Sequence, residues 1–278
     1  MRIVFTILIC VVSMYVAGCG GAEKIDAPEL TDVTMGTTSV TVFWRADPDI
    51  ESHADFQGYN VYVSTDSSEL LVADGEELNK YNASVITDTM FEIRNLDTQY
   101  LYYIQVRTLN TDDKVGTYNE TVPFITASPR PEFTAVLKFD EYGPGVTDSC
   151  AIRFSDALVM SNSAMADSSA DMWMHLSDTL GMPDISDLFD SPSNHPEFGA
   201  QARVTYFANL GQLGLDDITA ITTEPGYETV IFGIGDLIIA KTQDSNYVKI
   251  HVDSFVGGTD VAITYAYQDV PDFPKLSP

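Results

Sequence analysis

The sequence predicts an all-β protein made of two antiparallel β units, the second with long loops. Three observations support this class. Short runs of β-branched and aromatic residues alternate with polar residues, as in strands that bury one face. Clusters of Gly, Asp, Asn and Ser separate these runs and mark turns. The chain has 278 residues, 45% of them hydrophobic, which is enough for two cores at roughly 150 residues per domain.

The chain is strongly acidic, with 41 Asp and Glu residues against 14 Lys and Arg residues and a net charge of −27. Nucleic-acid phosphates need basic side chains to displace their counterions, so this charge argues against a nucleic-acid partner. The apolar fraction is too high for a disordered acidic tail. We therefore expect folded domains that bind no nucleic acid.

The amino terminus carries the most specific motif. Met1-Arg2 is a minimal basic start, and the apolar run Ile3–Val16 is shorter than the roughly 20 residues of a membrane-spanning helix. The run ends in Val16-Ala17-Gly18-Cys19. Small residues directly before a cysteine resemble the lipobox of bacterial lipoproteins. The alternative is an ordinary secretory signal followed by an accidental cysteine.

The lipobox resemblance implies cleavage before Cys19 and attachment of palmitate-type acyl chains to that residue, which makes the membrane a partner of the protein. Residues 1–18 are then the signal peptide, and residues 19–25 form a short tether. The residue after the cysteine is Gly20 rather than Asp. In Gram-negative lipoproteins, a residue other than Asp at this position is compatible with delivery to the outer membrane. We expect a lipid-anchored protein of the bacterial cell envelope, located on the outer membrane.

Residues 26–128 hold the first β unit. Strands are predicted at 39–44, 56–63, 89–93 and 100–109, and residues 68–81 have room for one helical turn. In the first of these strands, Val40, Val42 and Trp44 share one face. Several short strands over about 100 residues predict an antiparallel sandwich.

The same stretch resembles a fibronectin type III domain, which is an immunoglobulin-like sandwich. The match covers Ala27-Pro28, Trp44, Gly58–Tyr62 and Leu96–Asn110. It implies that Trp44, Tyr59 and Leu96 belong to the sandwich core, and that Tyr102 is the tyrosine-corner residue, whose hydroxyl returns to the upstream backbone. Four tyrosines are either a surface for carbohydrate or protein or, as we favour, ordinary strand residues: Tyr59, Tyr62, Tyr100 and Tyr103.

Ser128-Pro129-Arg130-Pro131 predicts a stiff extended connection, with the linker itself at residues 129–131. Residues 132–278 then form the second, β-rich unit. Its strands are predicted at 151–158, 171–176, 202–208, 237–242, 247–252 and 261–268, with a polar hairpin loop at 243–246. The stretch 178–194 is rich in Pro, Gly and Asp and predicts a long loop with short helical turns.

The segments Gly235–Thr242, Tyr247–Ile250 and Tyr265–Gln268 are similar to the end of HmuY-like surface lipoproteins, an all-β haem-binding family. This similarity implies capture of a ligand. His175 and His251 are the candidate ligand residues, because each lies in an apolar run. The 22 acidic and 6 basic residues of 132–278 count against haem, since they repel its propionates. We expect no cofactor and no metal site.

The sequence has no His-Glu-x-x-His zinc helix, no Gly-x-Ser-x-Gly elbow and no Walker loop. Asp184, Asp187 and Asp190 form either a loop calcium site or, as we favour, a solvated acidic loop. Cys150 is interpreted as a small buried residue rather than a reactive thiol. Catalytic residues are therefore not assigned, and the protein is not expected to be an enzyme.

The sequence thus favours an envelope-anchored module for binding, adhesion or scaffolding, with envelope proteins or polysaccharide as partners. Two alternatives remain open at this point. One is an accessory or catalytic domain of a secreted glycan hydrolase. The other is capture of a small haem-type ligand by the second unit.

Overall fold

The computed structural model describes residues 24–45, 47–73, 75–138, 149–161, 169–176, 187–194, 201–256 and 260–278. Strands dominate these residues, and every strand pair in them is antiparallel. In the first half they are β1 (Leu30–Met35), β2 (Val40–Trp44), β3 (Phe56–Ser64), β4 (Met90–Ile93), β5 (Tyr102–Asn110) and β6 (Ile125–Ala127). The all-β class expected from the sequence is confirmed.

The first half is a sandwich of two three-stranded sheets, in the orders β1-β2-β4 and β3-β5-β6. This division of strands between two sheets is that of an immunoglobulin-like or fibronectin type III sandwich. In β2 the burial alternates, with Val40, Val42 and Trp44 inside, because successive side chains of a strand point to opposite faces. The inner face of this sheet packs against the inner face of the sheet that contains β3 and β5, where Val61, Ile104 and other apolar residues complete one core.

Two short helices connect these strands. Helix α1 (Pro48–Glu51) begins where the Asp47 side chain accepts a hydrogen bond from the Asp49 backbone N–H, with Pro48 in the first turn. Helix α2 (Ser67–Leu70) begins in the same way at Asp66, which accepts from the Ser68 N–H. A 3-10 turn at Gly75–Glu77 follows. The helical turn expected within 68–81 is therefore two short turns, one beginning at residue 67.

In the described residues of the second half, the strands are β7 (Glu132–Leu137), β8 (Ala151–Arg153), β9 (Leu158–Met160), β10 (Met172–Leu176), β11 (Asp187–Asp190), β12 (Thr205–Gln212), β13 (Thr229–Ile231), β14 (Asp236–Thr242), β15 (Tyr247–Val256) and β16 (Asp260–Tyr267). They form two five-stranded sheets, in the orders β13-β11-β10-β8-β9 and β12-β14-β15-β16-β7. The predicted meander of 237–268 is the run β14-β15-β16.

A large apolar core fills the space between the two five-stranded sheets. Its members are buried residues of both sheets, including Met172, Met174, Phe189, Ile250 and Tyr265. Met172 and Met174 therefore contribute to packing, as methionine often does in irregular cores. The Tyr265 hydroxyl donates to the Phe154 carbonyl oxygen at 3.0 Å and so ties one sheet to the other.

Two predictions for the second half were wrong. The single strand expected at 151–158 is instead the hairpin β8–β9, which turns at residues 154–157. Arg153 and Asp156 form an ion pair across that turn, and Ala157 takes a positive φ of 57°. The chain therefore reverses here, although the apolar run 151–158 predicted one continuous strand. The loop expected at 178–194 contains the strand β11, which lies between β10 and β13. Residues 177–186 lie outside the described residues.

The connection between the halves is buried. Ser128, Pro129, Arg130 and Pro131 are all buried, and β7 begins directly after them. Within the described part of the chain, we find no helix that is long and apolar enough to span a membrane.

Candidate functional site

The strand register shows which strand ends lie together at each of the two ends, or poles, of the first sandwich. Leu30 pairs with Trp44 at one pole, while Met35 pairs with Val40 at the other. The described chain therefore enters the sandwich at the pole reached by the end of β2. The second half leaves from the opposite pole, after Ala127, which pairs with Tyr102 at the start of β5. The lipidation candidate Cys19 lies outside the described residues.

The entry pole contains an open cleft of about 840 Å³. Three segments form its walls: residues 24–27, the α1 region at 47–53, and residues 117–120. The charged or titratable side chains that line it are Lys24, Asp26, Asp47, Asp49, His53, Tyr118 and Glu120. Four carboxylates against one lysine make this a negatively charged recess.

The entering segment is fixed by the strand beneath it. Ile25 is buried, and its carbonyl oxygen accepts a hydrogen bond from the Thr108 hydroxyl of β5 at 2.5 Å. Gly116 packs so closely here that a Cβ atom would lie 2.1 Å from that same carbonyl oxygen. Residues 24–27 are therefore part of the folded pole rather than a free tether.

Helix α1 is also linked to the core. The Tyr59 hydroxyl donates to Glu51 Oε1 at 3.0 Å, and its ring packs edge-to-face against Trp44 with centroids 5.4 Å apart. Burial raises the pKa of Tyr59, and the hydrogen bond to the Glu51 carboxylate raises it further. His53 accepts a backbone hydrogen bond from Asp55 through Nδ1 at 3.3 Å.

The residues predicted to be structural lie as follows. Trp44, Tyr59 and Leu96 are buried in the core of the first sandwich. Tyr102 is partly buried against that core, and its hydroxyl accepts a hydrogen bond from the Asp97 N–H at 3.0 Å, five residues upstream. Burial raises the pKa of Tyr102. This return of the hydroxyl to the upstream backbone is the geometry of a tyrosine corner.

The four tyrosines weighed as a binding surface do not form one. Tyr59 and Tyr62 are buried. The ring of Tyr103 packs edge-to-face on Phe124, and Tyr100 is 53% exposed. These side chains belong to different environments, so they present no common aromatic face to a ligand.

The structure places the candidate ligand histidines on different sheets. His175 lies on β10, opposite Leu188, whereas His251 lies on β15 of the other sheet. Val248, Ile250 and Val252 of β15 face the central core, so alternation puts His251 on the outer face of its sheet. Its Nδ1 lies 2.7 Å from Asp253 Oδ1. His251 thus does not line an apolar cavity between the sheets.

The acidic loop and the third cysteine also have defined environments. Asp190 is buried and accepts hydrogen bonds from Asn194 and from the Thr229 hydroxyl. Asp184 lies outside the described residues. Among those described, no group of three or more His, Cys, Asp or Glu side chains is arranged to hold a metal ion. Cys150 is fully buried.

Sequence reasoning missed the buried charges of this protein. Arg107 on β5 is fully buried, and its guanidinium donates to the carbonyl oxygens of Leu70 and Val72 and to Gln105 Oε1. It also lies 5.8 Å from the ring centroid of Tyr62. This arginine fastens the α2 region to the sheet. Nothing in the local sequence around Arg107 indicates that this arginine is buried.

Lys249 on β15 is the second such charge. Its side chain is fully buried, and Nζ donates to the Ile218 carbonyl oxygen at 2.8 Å. The pKa of Lys249 is lowered from its ordinary 10.5 to about 8, mainly by burial and in smaller part by repulsion from the Arg130 guanidinium. An apolar cluster that includes Ile239, Tyr247 and Leu276 covers the same face of the sheet.

No family model and no curated protein matches the chain. Among solved structures, the chain is similar to the FN5 domain of Drosophila Lar, at 18% identity and a TM-score of 0.25 over 38% of this chain and 97% of that one. It is also similar to the sixth fibronectin type III domain of human fibronectin type III domain containing protein 3 (17%, TM-score 0.26, 47% and 97%). A third likeness is to a Yersinia enterocolitica family 28 exopolygalacturonase (17%, TM-score 0.26, 37% and 20%). The first half of the chain is a fibronectin type III-like sandwich.

Proposed function

We propose that this chain is a lipid-anchored protein of the bacterial cell envelope, on the outer membrane, that serves as a non-enzymatic binding and scaffolding module. The supporting observation is the placement of the two poles of the first sandwich. The described chain begins at one pole, and the second sandwich attaches at the other. A lipid at Cys19 is only a few residues from Lys24, so the first sandwich stands at the membrane and the second points away from it.

The tether limits how far the protein stands from the lipid. At about 3.5 Å per extended residue, the part of the predicted 19–25 tether that precedes Lys24 could reach no farther than about 20 Å. The cleft at the entry pole then faces the membrane-proximal space. Its acidic lining favours envelope proteins or polysaccharides that present basic or neutral polar groups, because anionic surfaces are repelled. Fibronectin type III-like folds are common in binding, adhesion and scaffolding modules.

Lipidation is tested with an alkyne-tagged palmitate analogue fed to Gram-negative cells that express the full chain. The wild type and Cys150→Ser, the matched cysteine control, are expected to incorporate the label, and Cys19→Ser to lose it. Cys19→Ser protein is then released from membranes or retained as uncleaved precursor. Label in Cys19→Ser at the wild-type level, or its absence from the wild type, contradicts the proposal.

Binding at the cleft is tested with the chain from residue 24 onward against immobilised envelope protein and polysaccharide fractions. The double variant Asp49→Asn with Glu120→Gln removes two lining charges and is expected to weaken binding about three- to tenfold. Glu77→Gln removes one exposed charge outside the cleft and serves as the control. Equal weakening by the control would show general charge repulsion rather than a binding site.

A further inference from the structure

The segment that follows β16, residues 268–278, contacts both sandwiches. On the second sandwich it is held by backbone hydrogen bonds: Ile221 N–H to the Pro274 carbonyl at 2.9 Å, and Leu276 N–H to the Thr219 carbonyl at 3.0 Å. Leu276 is fully buried in the outer apolar cluster of that sandwich. The segment is therefore an ordered part of the second sandwich.

The same segment also reaches the first sandwich. Phe273 packs against the core that contains Trp44 and Ile104. The backbone N–H of Met35, at the end of β1, donates to the Ser277 carbonyl oxygen at 3.0 Å. The Thr98 hydroxyl donates to Asp269 Oδ2 at 2.8 Å. One short segment thus supplies an apolar, a backbone and a side-chain contact to the opposite domain.

The buried connection adds contacts in the same place. The Arg130 backbone N–H donates to the Gly36 carbonyl oxygen at 2.8 Å. The Arg130 side chain is 2% exposed, and Nη2 lies 2.6 Å from Glu132 and 3.1 Å from Asp216. The Ser128 hydroxyl donates to the Thr98 carbonyl oxygen. Separating the sandwiches would break the bonds that Met35 and Thr98 make to Ser277 and Asp269, together with the packing of Phe273, and Arg130 would lose its contacts on at least one side.

We propose that residues 268–278 act as a strap that locks the two sandwiches into one cooperative unit, so that neither reorients nor unfolds by itself. Domains on a solvated linker move relative to each other and unfold separately. Here the connection at 128–131 and the segment 268–278 are both ordered, and each makes hydrogen bonds to the first sandwich, at Gly36, Met35 and Thr98. The proposal does not depend on lipid anchoring.

The test is pulse-labelling hydrogen exchange of the chain from residue 24 onward along a urea series, read by mass spectrometry for peptides of β5 and of β15 in the same samples. The variants are Phe273→Ala, Thr98→Val and their combination. Phe255→Ala is the matched control, because that phenylalanine is 37% exposed and lies near the end of β15, outside the junction.

In the wild type and in Phe255→Ala, the two peptides are expected to lose protection at one shared urea concentration. In the combined variant, the β5 peptides are expected to lose protection first, with the midpoints separated by about 0.5–1 M urea. Thr98→Val, a nearly isosteric change, gives a smaller separation and remains informative if Phe273→Ala fails to fold. Separate midpoints in the wild type, or one shared midpoint in the combined variant, would overturn the strap.

Discussion

Lys249→Met is expected to make the protein more stable near neutral pH, although it removes a hydrogen bond. Lys249 is fully buried, and its pKa falls from 10.5 to about 8. At about 1.4 kcal/mol per pKa unit, holding this ammonium in the fold costs on the order of 3 kcal/mol. Methionine has a similar volume and no charge, but it leaves the Ile218 carbonyl oxygen without its partner, at about 1–3 kcal/mol. The net gain is on the order of 1 kcal/mol.

The pH dependence gives the sharper test. The folded pKa of Lys249 is below the unfolded pKa, so the unfolded chain binds more protons between these two values. Wild-type stability therefore rises with pH relative to the variant as the pH passes about 8, by about 1.3 kcal/mol between about pH 7 and pH 9. Buried tyrosines with raised pKa values, such as Tyr265, change the pH dependence of stability only near and above pH 10. They occur in both proteins, so they do not affect the comparison.

The assay is urea unfolding of both proteins at about pH 7, 8 and 9. Lys241→Met is the control, because hydrogen bonds, first of all to Asp272, raise the pKa of Lys241. A lysine with a raised folded pKa contributes a constant amount to stability at any pH below its ordinary pKa. The stability difference between Lys241→Met and the wild type should therefore stay constant through about pH 9. Parallel curves for the wild type and Lys249→Met would refute the account of a buried ammonium.

The other predictions concern the first sandwich and the candidate ligand residue. Trp44→Ala should cost about 3–5 kcal/mol of unfolding free energy through a core cavity, and Tyr102→Phe only about 0.5–1.5 kcal/mol, because water can reach the Asp97 N–H; equal losses in urea would contradict this order. Gly116→Ala should cost about 2–4 kcal/mol, because its Cβ meets the Ile25 carbonyl oxygen, and protease cleavage near residue 25 should become faster. The chain from residue 24 onward should show no stoichiometric Soret shift with micromolar haem, and a saturable shift abolished by His251→Ala would make ligand capture the leading function.

The strands that carry most of the fold were predictable from local patterns. The alternating burial of β2 follows from the two-residue period of a strand with one buried face. The positions of β3, β5 and the β14–β16 meander follow from runs of β-branched and aromatic residues bounded by turn residues. The hydroxyl of Tyr102 returns to the backbone in the manner that the fibronectin type III resemblance implies. These features depend on neighbours within a few residues or on the geometry of a single sandwich.

Other features required the folded chain. Strand β11 lies in a stretch whose Pro, Gly and Asp content predicted a loop, because its pairing partners β10 and β13 stabilise it from both sides. The cleft at the entry pole joins three segments far apart in sequence, which no local pattern can bring together.

The sequence by itself determined the all-β class, most strand positions and the Val16–Cys19 motif, since each depends on residues close along the chain. The tertiary structure alone decided which charges are buried. Arg107 and Lys249 occupy ordinary strand positions, and they are desolvated only because the α2 region and the segment around Ile218 cover them. It also decided that the connection at 129–131 is a junction rather than a free linker. A strand specifies which of its faces points inward, but the cover over its outer face comes from residues elsewhere in the sequence.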